Sequence, residues 1–295
     1  MSRDLLWPRL REKAARLSPR RWRWERFLHD LPLDPAALDD PLPGPDPNDF
    51  IICGCPRTGT TLLAAVLFQP PQVVTCMEPW DGMRLPPAQL FESLRHEVDT
   101  TGKLTRGRLD VRELRRAGRV RWCREGMAAA DVSIDAQWLL GVKWPGYWRY
   151  LGRLPGTRFI VCLRDPYEVI ASFKAAGGRV AKGLQYDTRF NRELNRELVE
   201  ATEDPAVRRV LLFEYVHKRL LPHLARPNVL VVRYERWFDD RDVLLGEISR
   251  FLEHDVTLGH VELERPRSID VLLPRDRDLI ARYCSTASEL GYGIN

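Results

Sequence analysis

The chain has 295 residues and a net charge of +5, with 44% apolar and 29% charged residues. This composition excludes a wholly disordered chain, and the apolar runs fall short of the ~20 residues that a membrane-spanning helix needs. Six cysteines without a Cys-x-x-Cys pair argue against a zinc ribbon or disulfide scaffold and favour a reducing cytoplasm.

The first 47 residues differ in composition from the rest of the chain. Residues 1–29 contain nine Arg or Lys against three acids, in a helical pattern that lacks the apolar core of a secretory signal. Residues 31–47 contain six prolines, four aspartates and no basic residue, which is typical of an extended connector. We therefore predict a basic helical extension and Pro-rich linker over 1–47, followed by a single domain over 48–295.

After the linker, short apolar segments alternate with helical patterns. This alternation predicts a three-layer α/β fold of the P-loop type, with a central parallel sheet flanked by helices. The block 84–124 is basic, with eleven basic residues against five acids, and the segment 88–137 is predicted to be helical with loops. The predicted strands are Phe50–Cys53, Val73–Cys76, Leu139–Lys143, Arg158–Leu163 and Asn228–Val232. The predicted helices are Thr60–Phe68, Tyr167–Ala176, one or two over 190–224, Val243–Leu252 and Asp276–Leu290.

The first predicted strand runs into a glycine-rich turn, Gly54-Cys-Pro-Arg-Thr-Gly-Thr-Thr61. Its glycines have the spacing of the P-loop motif, G-x-x-x-x-G-K-[ST], but Thr60 replaces the lysine. Such a turn directs backbone N–H groups at an oxyanion, and Arg57 can bind a phosphate or sulfate through its planar fork. Because nucleoside triphosphatases need the lysine for the β and γ phosphates, the loop favours a less charged anion bound without metal.

A second motif, Arg164-Asp165-Pro166, follows another predicted strand, and Ser172 lies eight residues after the arginine. An arginine at the carboxyl end of a parallel strand faces the edge at which α/β sheets bind ligands. Together with a hydroxyl on the following helix, it can hold a separate phosphate. The alternative is an Arg164–Asp165 pair that closes the loop.

Together these motifs resemble the nucleotide-dependent sulfotransferases, whose donor is 3′-phosphoadenosine 5′-phosphosulfate (PAPS) and whose nucleotide product is 3′-phosphoadenosine 5′-phosphate (PAP). The loop with arginine is similar to the tyrosylprotein and related bacterial branch; the cytosolic animal branch has lysine there. Lys143-Trp144-Pro145 resembles a Lys-x-Pro element of that branch, and the stretch 231–235 resembles its strand-Tyr-Glu element. The resemblance covers roughly residues 48–295.

The resemblance implies roles for individual residues. The 5′-phosphosulfate would be held by the loop residues Arg57, Thr58, Gly59, Thr60 and Thr61. Arg164 and Ser172 would hold the 3′-phosphate, and Tyr234 would lie near the nucleotide, unless it is a packed residue at a strand end. A lid over the 3′-phosphate would include Arg265, Arg267 and Ser268.

The resemblance also implies a catalytic carboxylate about twenty residues after the loop arginine, and Glu78 lies 21 residues after Arg57. Such a carboxylate can accept the proton of an attacking hydroxyl; the alternative is a surface glutamate before a Pro-Trp turn. His96, the one histidine between Glu78 and Lys143, is the second candidate base. Lys143 would stabilise the leaving oxygen, or else its stem packs beside Trp144.

The implied enzyme is a cytoplasmic sulfotransferase that needs no metal and binds neither nucleic acid nor a membrane through an integral span. Its expected acceptor is a hydroxyl of a sugar or secondary metabolite; a peptide tyrosine is the alternative acceptor, and a homodimer is left open. Two other classes compete with this interpretation. One is a kinase or nucleoside triphosphatase with a degenerate loop, and the other is a non-enzymatic anion-binding or nucleic-acid-binding protein that uses the basic N-terminus.

Overall fold

A computed structural model describes residues 42–79, 82, 85–104, 120–121, 130–132, 134–176, 178–185, 189–259, 261–263 and 271–294. The predicted basic helix over 1–29 lies outside the described residues. Residues 42–47, at the end of the predicted linker, form neither helix nor strand. The Leu42 amide donates a hydrogen bond of 2.8 Å to the Arg153 carbonyl.

Five parallel strands form the central sheet, in the spatial order β2-β3-β1-β4-β5. Their bounds are β1 Phe50–Gly54, β2 Val73–Met77, β3 Leu139–Lys143, β4 Arg158–Leu163 and β5 Val229–Arg233. Each predicted strand is confirmed to within one residue at either end. Two small antiparallel pairs also form, one between Lys103–Leu104 and Ala130–Asp131, the other between Val120–Arg121 and Glu262–Leu263.

Helices connect the strands and flank the sheet, which confirms the predicted α/β class. The α-helices are α1 Thr60–Val66, α2 Pro87–Thr101, α3 Pro166–Ala176, α4 Gly178–Ala181, α5 Arg189–Ala201, α6 Pro205–Leu220, α7 Arg236–Asp239, α8 Arg241–Leu252, α9 Pro274–Tyr283 and α10 Ser285–Glu289. Two 3₁₀ helices span Pro145–Tyr150 and Leu221–His223. Among the described residues, no helix combines the length and apolarity needed to cross a bilayer.

The order of the strands places the carboxyl end of β1 at the point where the chain changes direction across the sheet. The chain leaves β1 toward β2 on one side and leaves the neighbouring strand β4 toward β5 on the other, so the connections from the carboxyl ends of β1 and β4 run in opposite directions. Open α/β sheets bind ligands in the crevice that such a reversal creates. Every residue of β1 is buried, as expected for a strand covered by helices on both faces.

The stretch 276–290, predicted to be helical, divides into α9 and α10 at Cys284. The break depends on Glu214, a buried residue of α6. Its carboxylate accepts hydrogen bonds from the Ser285 and Thr286 hydroxyls at 2.6 and 2.7 Å and from the Thr286 amide at 3.2 Å. These contacts provide an acceptor for an amide in the first turn of α10. Because Glu214 lies about seventy positions away in the sequence, the local sequence did not reveal them.

Asp276 connects three helices at one buried point. Its carboxylate accepts from Lys174 Nζ of α3 at 2.8 Å and from Arg209 Nη2 of α6 at 3.4 Å. Burial acts to raise the pKa of Asp276, but hydrogen bonds from Lys174 and the Leu273 amide, with the charges of Lys174 and Arg209, outweigh it. The pKa therefore lies below its usual value of 3.8.

Asp276→Asn is expected to lower the free energy of unfolding at neutral pH and to flatten its fall in acid. A carboxyl with a depressed folded pKa stabilises the fold above its unfolded pKa, and this stabilisation is lost as the pH falls through the folded pKa. Urea unfolding at several pH values between about 7 and 3 measures the effect. The control is Asp242→Asn, whose side chain is 85% exposed; equal pH curves for the two variants would contradict the prediction.

Candidate functional site

Five predicted site residues lie at the carboxyl ends of the five strands. Arg57 is in the loop after β1, Glu78 directly follows β2, Lys143 ends β3, Arg164 directly follows β4, and Tyr234 directly follows β5. The strand register brings these ends level, because Ile52 pairs with Lys143, Met77 with Lys143, and Leu163 with Arg233. The fold therefore gathers residues from 57 to 234 along one edge of the sheet.

A hydrogen bond between its own residues closes the glycine-rich turn before α1 begins. The Thr58 hydroxyl donates to the Cys55 carbonyl at 2.7 Å, and Thr60 and Thr61 are the first residues of α1. Gly59 precedes them with φ 96°. The first amides of a helix have no partner within the helix, so the loop can present them to an anion. Burial raises the pKa of the Cys55 thiol well above its usual value, so this thiol is not a nucleophile.

Gly59→Ala is expected to lower thermal stability and to weaken anion binding by the loop. A Cβ at this position would lie 2.5 Å from Cδ2 of the buried Tyr234 ring, and φ 96° is unfavourable for any L side chain. The matched control is Gly246→Ala on α8, where a Cβ meets nothing within 4 Å. That control should stabilise the protein by about 0.5–1 kcal/mol, and a melting temperature that moves the same way in both variants would contradict the prediction.

Arg57 links the loop to the second motif. Its Nε donates to the buried Ser172 hydroxyl at 2.9 Å, and its carbonyl accepts from Arg164 Nη1 at 3.2 Å. The backbone of Arg57 has φ 74°. Two motifs more than a hundred residues apart are thus in direct contact, with Arg57 between them.

Arg164 is almost completely buried, with 1% of its surface exposed. Its Nε donates to Glu168 at 2.7 Å, and its Cζ lies 4.0 Å from the centre of the Tyr234 ring. The predicted alternative, an Arg164–Asp165 pair that closes the loop, is not what forms. Asp165 instead begins α3 by accepting from the Tyr167 and Glu168 amides at 2.8 and 3.2 Å.

Glu168 and Glu235 contact Arg164 and Asp165, and no role was predicted for either of them from the sequence. Glu235 accepts from the Asp165 amide at 2.7 Å. Burial raises the pKa values of both Asp165 and Glu235, and the nearby Glu168 charge raises them further. The sequence contained a signal for Glu168, because it follows Arg164 by four positions at a helix start, the spacing of a helical ion pair.

Glu78 and Lys143 form an ion pair, with Lys143 Nζ 2.6 Å from Glu78 Oε1. The Lys143 side chain is 4% exposed and the Glu78 side chain 21% exposed. A second bond joins the same residues, from the Glu78 amide to the Lys143 carbonyl at 2.7 Å. Lys143 is therefore not a lysine whose stem merely packs beside Trp144. His96, the second candidate base, is exposed on α2.

Backbone strain coincides with two of the predicted catalytic residues. Among the described residues, three that are not glycine have positive φ: Arg57, Glu78 at φ 50°, and Glu253 after α8. A non-glycine residue in this region costs free energy and is retained where the surroundings fix it. The Glu78 carboxylate is held by Lys143, and the Arg57 carbonyl by Arg164. The fold thus fixes both residues in position before any ligand arrives.

Aromatic side chains support the turn after Glu78. The buried Tyr147 hydroxyl donates to the Gly82 carbonyl, and Trp144 stacks on Tyr147 with ring centroids 6.0 Å apart. A Cβ on Gly82 would lie 2.8 Å from the Tyr147 hydroxyl and 3.0 Å from the Trp144 ring. This packing leaves no room for a side chain at position 82, in the stretch that follows Glu78.

Part of the predicted site cannot be placed. Arg265, Arg267 and Ser268, the predicted lid, lie outside the described residues, so their role stays a prediction. A surface cavity of about 630 Å³ lies at the amino end of the sheet, lined by Gln72, Ser249, Arg250, Glu253, His254 and Asp255. It contains none of the predicted site residues.

Comparison with known proteins matches the chain to a family. The model described as "Sulfotransferase family" matches residues 48–258, which is more than half of the chain and includes Arg57, Glu78, Lys143, Arg164 and Tyr234. The match ends before residue 295, short of the range over which the sequence resemblance was expected.

Individual relatives are more distant. Nodulation protein NoeE of Sinorhizobium fredii (strain NBRC 101917 / NGR234) is 29% identical over 226 residues, covering 72% of this chain and 51% of the relative. The chain thus spans about half the length of that relative. A sulfotransferase from Alicyclobacillus acidocaldarius is 15% identical with a TM-score of 0.44, covering 85% of this chain and 98% of that one. Mouse sulfotransferase SULT7A1, complexed with PAP, is 15% identical with a TM-score of 0.36, covering 88% and 71%.

Proposed function

The chain belongs to the sulfotransferase family, and from this premise we propose that it transfers a sulfuryl group from PAPS to a hydroxyl of a small-molecule acceptor. In the balanced reaction, R–OH and PAPS give R–O–SO₃⁻, PAP and a proton. The S–O bond to the donor phosphate breaks as the S–O bond to the acceptor forms. The observation that carries the proposal is the Glu78–Lys143 pair beside the Arg57 loop, on neighbouring strand ends.

The hydrogen-bond donors of the site fit an adenosine nucleotide that carries two separate acidic groups. The loop amides, the hydroxyls of Thr60 and Thr61, and Arg57 are assigned to the 5′-phosphosulfate. Arg164 and Ser172 are assigned to the 3′-phosphate, with Tyr234 beneath Arg164 at 4.0 Å. The hydrogen bond between Arg57 and Ser172 supports the binding of the 5′-phosphosulfate and the 3′-phosphate by one connected set of side chains. Arg267 is assigned to the 3′-phosphate from the sequence alone.

Glu78 is assigned the role of general base. Its side chain is the more exposed member of the pair with Lys143, so an acceptor hydroxyl can approach the carboxylate from solvent. A carboxylate within hydrogen-bond reach of the hydroxyl can take its proton as the oxygen attacks. The positive φ and the amide bond to Lys143 support a carboxylate fixed in orientation, which reduces the entropic cost of reaching the reactive geometry.

Lys143 and Arg57 are assigned to the charge that develops on the leaving oxygen. Lys143 is buried, so its charge acts in a region of low dielectric where electrostatic stabilisation is strong. While the two are paired, the Lys143 ammonium donates to one oxygen of the Glu78 carboxylate. The leaving oxygen belongs to the donor, so Lys143 can turn toward it only when the donor is bound. This turn releases Glu78 to act as base, and the donor therefore binds first.

The acceptor class is proposed to be a sugar or a secondary metabolite. The Trp144 ring, which is only partly buried and directly follows Lys143, supports an acceptor that stacks on an apolar face. A peptide tyrosine is the alternative acceptor, because the arginine loop and the glutamate resemble the tyrosylprotein branch. Transfer of radiolabelled sulfate to a panel of sugars, phenols and tyrosine peptides tests the acceptor class, and labelling of the peptides alone would overturn the small-molecule proposal.

Calorimetric titration with PAP, and separately with Mg-ATP, tests the donor class. We expect PAP to bind tightly in the presence of a chelator and ATP to bind weakly, because Thr60 stands where a nucleoside triphosphatase has lysine. A preference for Mg-ATP would overturn the proposal in favour of the kinase interpretation. Binding of neither nucleotide, with tight salt-dependent binding of duplex DNA, would favour the non-enzymatic interpretation.

A further inference from the structure

The guanidinium of Arg164 contacts Glu168, the Arg57 carbonyl and the Tyr234 ring, and its Nη2 is buried without a hydrogen-bond partner among the described residues. Nε donates to Glu168 Oε2 at 2.7 Å, and Nη2 lies 2.5 Å from the same oxygen. Nη1 donates to the Arg57 carbonyl, and the Tyr234 ring covers one face. A guanidinium binds phosphate best along its Nε–Nη2 edge, through two parallel hydrogen bonds. Glu168 Oε2 lies against that edge, where it accepts from Nε and forms an ion pair with Nη2 without a hydrogen bond.

Burial indicates the direction from which an anion reaches Arg164. The arginine side chain is 1% exposed, whereas the Glu168 side chain is 20% exposed. The partners at Nη1 and at the ring face belong to the loop and to the end of β5, which are parts of the protein framework. Glu168 therefore lies between the guanidinium and solvent, on the side from which a ligand would approach.

The charge around Arg164 is unfavourable for a phosphate while Glu168 stays in place. Asp165 and Glu235 lie close enough that the Glu168 charge contributes to raising the pKa of each. A phosphate dianion next to Glu168 would meet a like charge a few ångströms away, in a partly buried environment where screening is weak. The same dianion binds an arginine more strongly than a single carboxylate does, because it carries more charge.

We propose that Glu168 is an internal anion that holds Arg164 until the donor binds, and that the 3′-phosphate displaces it from the Nε–Nη2 edge. This inference rests on the proposed function, because it takes the 3′-phosphate as the competing group. Glu168 is then a specificity-determining residue: it lowers the affinity for nucleotides with a 3′-phosphate and leaves nucleotides without one unaffected. It also neutralises the buried guanidinium in the empty site, which would otherwise carry an uncompensated charge.

Two nucleotides that differ only in the 3′-phosphate isolate the effect. PAP is titrated calorimetrically into the full chain, and adenosine 5′-phosphate is measured by displacement of PAP. We expect Glu168→Gln to bind PAP about 5- to 10-fold more tightly than the unmodified protein, since a like charge is removed. The affinity for adenosine 5′-phosphate should stay unchanged, so the ratio of the two affinities rises by the same factor.

Matched variants separate charge from structure. Glu168→Asp keeps the charge and should not tighten PAP binding, whereas Glu168→Gln keeps an acceptor for Nε and should fold with a normal circular dichroism spectrum. Glu200→Gln serves as the control, since Glu200 forms an exposed helical pair with Arg196 at 3.9 Å. The gain in Glu168→Gln should persist at higher ionic strength, since salt screens partly buried charges only weakly, and the control should show no gain.

The outcomes distinguish this proposal from the proposed function. If the unmodified protein does not bind PAP, both fail. If it binds PAP but Glu168→Gln leaves the ratio unchanged or lowers it, the donor class stands and the displacement of Glu168 is wrong. Equal tightening of both nucleotides would also overturn the displacement, because it would show a general charge effect without selectivity for the 3′-phosphate.

Discussion

Glu78→Gln is expected to reduce kcat by about 10²- to 10⁴-fold, the range for loss of a general base, while PAP binds with nearly unchanged affinity. Glutamine keeps the size of the side chain and can still accept from Lys143 Nζ, which lies 2.6 Å from Glu78 Oε1. It cannot take the acceptor proton. Since the phosphate groups are assigned to the loop and to Arg164, the nucleotide loses no contact. The measurements are radiolabelled sulfate transfer from PAPS and calorimetric titration with PAP.

Glu289→Gln, an exposed change on α10, is the control and should keep full turnover. Normal turnover in Glu78→Gln would show that another group takes the proton, and His96→Ala would then test the second candidate. A loss of PAP binding together with turnover would instead mean that Glu78 holds the site together. The pH profile separates these cases, because loss of the base should remove the acidic limb of kcat.

The sheet and most of its ligand-binding edge could be predicted because the responsible signals are local in sequence. Short apolar runs such as Phe50–Cys53 and Leu139–Lys143 can be recognised without knowledge of their neighbours. Parallel strands then bring their carboxyl ends to one edge. Residues placed directly after strands, such as Arg164 and Tyr234, therefore had to converge, whatever the detailed packing.

The remaining features depend on contacts between distant parts of the chain. The pairing of Glu78 with Lys143 requires β2 and β3 to be neighbours, a pairing that chain order alone does not give. The break at Cys284 requires the carboxylate of Glu214 from another helix. Positive φ at Arg57 and Glu78 is also a product of tertiary structure, since neither residue type favours that conformation. Local patterns carry no information on such contacts.

Arg57→Ala is expected to lower PAP affinity by about 10- to 100-fold, as for loss of charged hydrogen bonds worth about 1.5–3 kcal/mol. It should also reduce kcat by about 10²- to 10³-fold, the effect of removing one group that stabilises developing negative charge. Alanine and arginine meet the same backbone cost at φ 74°, and the carbonyl that accepts from Arg164 Nη1 is retained. The loop should therefore keep its shape, and the loss should report the side chain itself.

Two further variants show what the guanidinium contributes beyond its charge. Arg57→Lys keeps the positive charge but removes the fork, including Nε, which lies 2.9 Å from the Ser172 hydroxyl. It should retain more PAP affinity than Arg57→Ala while recovering only part of the turnover, since lysine acts as a point charge. Arg241→Ala removes an exposed arginine paired with its neighbour Asp242 and should change neither quantity. Unchanged turnover in Arg57→Ala would contradict a role in sulfuryl transfer, because no charge stabilisation at the loop would then depend on this side chain.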